Sequence, residues 1–330
     1  MKTSLIAAGL LTLAGIANAQ SPVLTVYTYD SFVSDWGPGP VVEAAFEETC
    51  GCDLQFVAAG DGAALLARLQ LEGSNSDADI VLGLDTNLTA RAREAGLVVP
   101  HGLEVPSLDL PISWTDDAFL PFDWGYFAFV HNADMANAPG SFEELIALPD
   151  DVKIVIQDPR SSTPGLGLLM WVKAAYGDRA PQIWEGLAPH ILTVTPGWSE
   201  AYGLFLEGEA EMVLSYTTSP AYHLIAEEDA SKTAANFSEG HYMQVEVAAM
   251  LEGSDQPELA KQFLSFMLSD GFQSAIPTTN WMYPAVVPTD GLPEGFETLI
   301  QPSQALLKSP EDAASVRDVA LQEWLTALSR

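Results

Sequence analysis

Four short stretches set aromatic rings beside hydroxyls and acids. YTYDSFVSDWGPGP carries Tyr29, Asp30, Ser31 and Trp36, and TPGWSEAYG carries Trp198 and Tyr202. SYTTSPAYH carries Tyr216, Thr217, Thr218, Ser219 and Tyr222, and NWMYP carries Trp281 and Tyr283. One aromatic residue alone is more often core than site. Several of them in loops is less usual, and the chemistry they offer is specific. Each aromatic face attracts an organic cation by ~0.5–2 kcal/mol, and it also stacks on heteroaromatic rings. A fifth stretch, QDPRSSTPGLGLL, places Ser162 and Thr163 ahead of Pro164 at an expected helix start. Free backbone N–H groups, the helix dipole and two hydroxyls make an anion site there, with phosphate as its natural guest; an ordinary capped helix accounts for the same residues. A ligand with a cationic ring and a hydroxyl or phosphate tail fits the combination.

Other chemistries fit less well. Gly197-Trp198-Ser199-Glu200-Ala201 resembles the nucleophile elbow of a secreted serine hydrolase, with His223 or His241 as base. Its last position is Ala201 instead of Gly, and Ser199 is equally placed to cap a helix over 199–206. A ferric-ion site wants hard oxygen donors, commonly neighbouring tyrosines; Tyr216 is followed by Thr217 and Thr218. Polyamines and other organic cations remain alternative guests. Gly165-Leu166-Gly167 has the wrong order for a dinucleotide loop. His101, His131 and His190 are scattered and carry no metal-ligand spacing.

The elements that must position these loops follow from periodicity. Strands are expected at 24–28, 54–58, 80–84, 127–131, 153–156, 191–194, 212–216 and 244–250. Helices are expected at 40–48, 63–71, 88–95, 142–147, 164–176, 199–206, 220–226, 257–268 and 310–330. Strands separated by single helices make parallel βαβ units, and ligands of such sheets sit at the strand C-termini. The aromatic loops are at those ends. Asp61-Gly62 and Asp85 follow strands in the same way, and each acid is as well placed to cap a helix. The Pro-rich segment 98–122 is expected to be irregular, where the chain first leaves one domain.

The chain opens with Lys2, an apolar run over 5–16 and Ala17-Asn18-Ala19, the pattern of a secretory leader cleaved after Ala19. The run is too short to span a bilayer. The chain beyond the leader is long enough for two cored domains. The formal charge is −32, from 45 acidic and 13 basic residues. Such a surface repels nucleic acid and anionic lipid and favours cationic ligands. Cys50 and Cys52, separated by one residue, can pair in an oxidising compartment as a local clip before the second strand.

LTVYTYDSF, DWGPGPVV, DIVLGLD, QDPRSSTPGLGLL, GWSEAYGLFL, VLSYTTSPAYH, AANFSEGHY, QVEVAA and IPTTNWMYP together resemble the thiamine-binding periplasmic proteins of bacterial ABC importers. The likeness runs over almost the whole chain after the leader. It implies an α/β, two-lobed periplasmic binding protein fold of type II, in the ferric-binding-like branch. Each lobe would be a mixed sheet flanked by helices, with the ligand in the interlobe cleft. Residues 20–122 plus about 243–285 would form one lobe, and about 123–242 plus 286–330 the other. The resemblance further implies a monomer in the periplasm that is not an enzyme and has no metal or cofactor. It would bind thiamine, thiamine phosphate or thiamine diphosphate and hand it to an ABC permease. Carried over by motif, the implied ligand contacts are Asp61, Gly62, Ser162, Thr163, Trp198, Tyr216, Thr217, Thr218 and Ser219. To these we add Tyr29, Trp36, Tyr222 and Trp281 as an aromatic wall. A ligand phosphate is expected at the Ser162–Thr163 helix start.

Overall fold

The structure, a computed structural model, describes residues 21–329. The expected leader and its cleavage site lie outside them. The chain begins with β1 (Val23–Thr28), α1 (Gly39–Cys50), β2 (Asp53–Ala58), α2 (Gly62–Glu72), β3 (Ile80–Asp85) and α3 (Thr89–Glu94). After a long irregular stretch comes β4 (Phe119–Asn132), then α4 (Phe142–Leu145), β5 (Ile154–Gln157), α5 (Thr163–Tyr176) and α6 (Ala180–Leu187). Next are β6 (Ile191–Thr195), α7 (Trp198–Leu206), β7 (Met212–Tyr216), a π-helical turn Tyr222–Ala226, β8 (Lys232–Ala234) and β9 (His241–Met250). The chain closes with α8 (Pro257–Phe266), α9 (Asp270–Gln273), a second π-helical turn Ile276–Asn280, β10 (Tyr283–Pro284), β11 (Ala305–Leu306) and α10 (Pro310–Leu328).

Local chemistry explains the boundaries. Pro40 opens α1, and Gly51 ends it in the left-handed conformation. Gly51 also separates Cys50 from Cys52, which form a disulfide. Ser309 caps α10 by accepting from Asp312 N at 3.1 Å, and Pro310 opens it. β3 is buried at every position, as an apolar strand covered on both faces must be.

The strands form one continuous sheet in the order β2-β1-β3-β9-β4-β7-β5-β6. β2, β1 and β3 are mutually parallel, as are β7, β5 and β6. Between these two parallel sets lie β9 and β4, antiparallel to each other. β4 pairs with β9 from Phe119 to Tyr126, and then with β7 from Phe127 to His131. It passes from one half of the molecule into the other without a break. This differs from the expected strand at 127–131, because 119–122 belong to the strand and not to the irregular segment. Pro121 masked the pattern. It is tolerated beside a β-bulge, where the register shifts between Pro121 and Asp123. The strand expected at 244–250 likewise starts earlier, at His241. α6, which was not expected, buries Ile183, Trp184 and Leu187 on one face.

One half is cored by Phe32, Phe46, Phe122, Phe263 and Phe272. The other centres on Phe129, Phe142, Trp171 and Phe237, with Trp171 Nε1 donating to Gly240 O at 2.9 Å. α5 lies against β4 at Gly167, where a Cβ would meet the Phe127 ring at 2.0 Å, and against the end of β5 at Gly165, where a Cβ would meet Gln157 O at 2.5 Å. Those two close approaches explain the glycines of PGLGLL. Gly167→Ala is therefore expected to destabilise the fold by about 1–3 kcal/mol through overpacking. Urea unfolding of the two proteins measures this, and an unchanged midpoint would refute the packing argument.

Candidate functional site

β9 supplies the floor of a cleft of about 540 Å³ between the two halves, with β4 paired beside it, within the range of small-molecule sites. Gln244 and Glu246, two residues apart on β9, share the face that lines it. Glu246 lies opposite Asp123 of β4 and opposite Asp85 of β3. Tyr29, just past β1, donates its hydroxyl to Glu246 Oε2 at 3.0 Å. Asn280 donates from Nδ2 to Asp123 Oδ2 at 2.6 Å. Asp123 Oδ1 is buried with no hydrogen-bond partner. Tyr29 fits here because of Gly83, which adopts φ +104 at a bulge in β3; a Cβ there would meet the Tyr29 ring at 2.2 Å.

These acids hold their protons tightly. Burial, with the neighbouring Asp123 charge, pushes the Glu246 carboxyl well above the usual range. Burial lifts Asp123 to about 7, against the hydrogen bond from Asn280 that pulls it down. Two adjacent carboxylates in a dry site cannot both ionise without a cation. Asp85, off the cleft, is also raised to about 7 by burial, although Asn87 hydrogen-bonds to it.

The walls come from both halves. Trp36 reaches over from the β1–α1 loop to Trp198 at the start of α7, with ring centroids 6.2 Å apart. Trp198 stacks on Tyr202 at 4.9 Å, and Tyr202 stacks on His223 at 5.9 Å. Trp198 is aimed by its Nε1, which donates to Ser215 Oγ at 2.8 Å; Ser215 Oγ lies 2.6 Å from Ser219 Oγ. Tyr216 donates to Gln244 Oε1 at 2.8 Å. On the far side Tyr222 meets Trp281 edge-on at 5.5 Å. Trp281 holds φ +56, a strained conformation for a tryptophan. The lining includes Asp61 and Glu246 and, among the described residues, no Lys or Arg.

The two halves are also joined directly. Asp61 caps α2, accepting from Gly62 N at 2.8 Å, and it accepts from Ser162 Oγ at 2.7 Å and Thr163 Oγ1 at 3.3 Å. Beside it Ala64 N donates to Ser161 O at 2.9 Å. The α5 start expected to hold a phosphate thus holds the Asp61 carboxylate in this closed arrangement. The physical reason is simple: an acid from the β2–α2 loop of the other half satisfies the same hydroxyls and helix end.

Ser31 and Tyr202 line the cleft, and of the thirteen expected contact and wall residues so do Tyr29, Trp36, Asp61, Trp198, Tyr216, Ser219, Tyr222 and Trp281. Five do not. Ser162 and Thr163 are buried behind Asp61, and Gly62 is buried against Thr163. Thr217 donates its N–H to Tyr126 O, and Thr218 contacts Met282 Sδ at 3.5 Å, both beneath the surface of the cleft. Asp30 is exposed and ties its loop to Gly60 through two hydrogen bonds. Glu246, Asp123, Gln244 and Asn280 were missed. The signal was available: an acid in QVEVAA and another in LPFDWG interrupt runs that are otherwise apolar.

Ser199 lines the cleft but caps nothing, since Gly197 is the N-cap and α7 starts at Trp198. Both downstream histidines have both ring nitrogens engaged. His223 pairs with Tyr202 and Glu227, and His241 with Phe127 O and Phe237 N. Neither is presented to Ser199 as a base. His223, Glu227 and Asp229 bring ligand atoms within 4.8 Å of one another, but His223 and Glu227 pair together and Ser231 holds Asp229.

Comparison with known proteins places this geometry. Residues 38–274 match the family described as bacterial extracellular solute-binding protein. The chain belongs to that family. It is 55% identical to the thiamine-binding periplasmic protein of Escherichia coli (strain K12), over 94% of this chain and 94% of the relative. A solved structure titled periplasmic thiamin binding protein superposes with a TM-score of 0.91 at 54% identity, covering 98% of this chain and 100% of the other. Iron-bound HitA from Pseudomonas aeruginosa gives a TM-score of 0.75 at 21% identity over 93% of this chain and 99% of its own, a likeness of fold alone. The fold is the two-lobed, type II periplasmic binding protein fold, with β4 and β9 linking the lobes. As a family member the protein is a periplasmic solute-binding protein, with a small-molecule ligand and an ABC permease as partner.

The raised carboxyl values carry a stability consequence. The folded state keeps protons on Glu246 and Asp123 that the unfolded chain releases near pH 4. The Asp123 contribution is therefore present at low pH and lost as pH rises from about 4 to about 7, and the Glu246 contribution is lost from about 4 upward over a wider range. Glu246→Gln, whose amide cannot ionise, should gain stability relative to the parent across that rise. Thermal unfolding of both ligand-free proteins from pH 5 to pH 8 tests it; parallel curves would contradict an acid pair held protonated.

Proposed function

We propose that the solute is thiamine, taken as the free vitamin or as its mono- or diphosphate ester and delivered to the permease by the monomeric protein. The observation that carries this reading is the cleft itself. Rings from both lobes, Trp36, Trp198, Tyr202, Tyr222 and Trp281, enclose an acidic floor with no Lys or Arg in the lining among the described residues. Thiamine has a permanent thiazolium charge, which suits ring faces and carboxylates. Its aminopyrimidine can stack and can hydrogen-bond to Gln244, Asn280 or the Tyr29 hydroxyl. The relatives named for thiamine at 54–55% identity support the same choice. Closure would bury the rings and present the permease with a ligand-dependent shape. Export would follow cleavage of the leader after Ala19.

The test is calorimetric titration of the refolded, ligand-free mature protein with thiamine, thiamine phosphate and thiamine diphosphate. Refolding removes any ligand that survives purification. One site per chain with Kd at or below about micromolar is expected, equivalent to ~8 kcal/mol. No heat and no thermal shift with all three would overturn the reading. Trp198→Ala should weaken every form at least about tenfold, through loss of stacking and cation–π attraction.

Ser162→Ala separates two arrangements. Its hydroxyl donates to Asp61 across the cleft, so its loss should weaken all three forms alike, by about 1–3 kcal/mol for a bond to a charged acceptor. A loss confined to the phosphate esters would instead mean that the ligand phosphate displaces Asp61 from the start of α5.

A further inference from the structure

Behind the cleft floor lies a buried polar atom that no neighbouring donor satisfies. Asp123 is fully buried, its Oδ2 accepts from Asn280, and its Oδ1 has no partner. Directly across the strand pair lies Glu246, itself 6% exposed and lining the cleft. A proton shared between the two carboxyls satisfies Asp123 Oδ1 and removes one negative charge from the pair. We propose that Glu246 and Asp123 form the cation subsite of this cleft, sharing one proton in the ligand-free protein and releasing it to solvent when a permanently charged ring binds above them. The proposal rests on thiamine being the ligand and adds which residues meet its charge.

Groups facing Glu246 from every packed element support this. Tyr29 at the end of β1 donates to it. Asp61, ahead of α2, and Asp123 on β4 both act on it as negative charges. Asp85 on β3 lies opposite in register but is turned to Asn87. Tyr216 at the end of β7 bonds Gln244, the next residue on the same face of β9. Asn280 accepts from Tyr29 at 3.3 Å. The aligned groups are neutral donors or further acids, so nothing in this set supplies the positive charge that a doubly ionised pair requires. A permanent cation supplies it and favours the ionised form. The balance is simple: one carboxyl O–H breaks, its proton goes to buffer, and the bound ring neutralises the new carboxylate.

The experiment uses the full mature chain and thiamine. Binding heats are measured at about pH 6 and about pH 7.5, each in two buffers of very different ionisation enthalpy. Buffer-dependent heats corresponding to release of between about half a proton and one proton are expected at the lower pH, where the pair is protonated before binding. Affinity should rise with pH by up to about tenfold per unit until the free pair ionises. Glu246→Gln and Asp123→Asn should each remove the buffer dependence. Binding with equal heats in both buffers would overturn the proposal. So would proton uptake, which would mean that a proton from buffer is added to the bound aminopyrimidine or to the pair instead of one being released. Absence of binding at either pH would overturn the thiamine reading as a whole, so the two failures are distinguishable.

Discussion

Everything at this site depends on two antiparallel strands that belong to both halves at once. β4 pairs with β9 over its first part and with β7 over its second, so the central sheet is continuous through the cleft floor. A continuous ladder satisfies the backbone groups that a gap between lobes would otherwise bury unpaired. It also sets where side chains on one face of β9 must point. Gln244 and Glu246 are held in the floor by that ladder; Tyr29 just past β1 and Tyr216 at the end of β7 bond to them, and Asn280, at the end of a π-helical turn, bonds to Tyr29. The polar groups of the floor interlock, and the walls are carried just beyond strand ends, on a loop at Trp36 and on helical turns at Trp198, Tyr202 and Tyr222.

Electrostatics then decides what the cleft can hold. The chain is strongly acidic overall, but most of those charges are solvated and screened within about 10 Å at ordinary salt. The few that matter are inside, where screening is weak. Glu246 and Asp123 are too close and too dry to be charged together. Asp61 is different. Burial raises its carboxyl too, but a backbone N–H and two hydroxyls donate to it and pull the other way. One acid joins the lobes; the other pair is positioned to meet a guest. The same residue type performs both tasks because hydrogen-bond supply differs between the two places.

The aromatic residues show a similar division. Trp171 and Trp184 are buried as core. Trp198 is anchored by Ser215 and a stack on Tyr202, whereas Trp36 remains half exposed across from it. Rings of one kind thus fill, frame or cover the cleft according to how many neighbours hold them. The strained backbone of Trp281 falls in the covering group, where such strain is commonly found.

Periodicity and local signals made most of the strands, the capped helices and the aromatic loops legible from the sequence alone, because those depend on neighbours within a turn or two. The eight sequence-derived residues that line the cleft were accessible for that reason. The long span of β4 was not, since Pro121 and Asp123 argue locally against a strand and only pairing with β9 overrides them. Nor was the occupant of the α5 start: Ser162 and Thr163 advertise an anion site, but which anion fills it depends on Asp61, about a hundred residues away. The two acids of the floor stand out singly in apolar runs, but their pairing was hidden. Its meaning comes from the register that sets Asp123 beside Glu246 and from the burial that denies both of them water, and a register between distant strands is a property of the folded sheet.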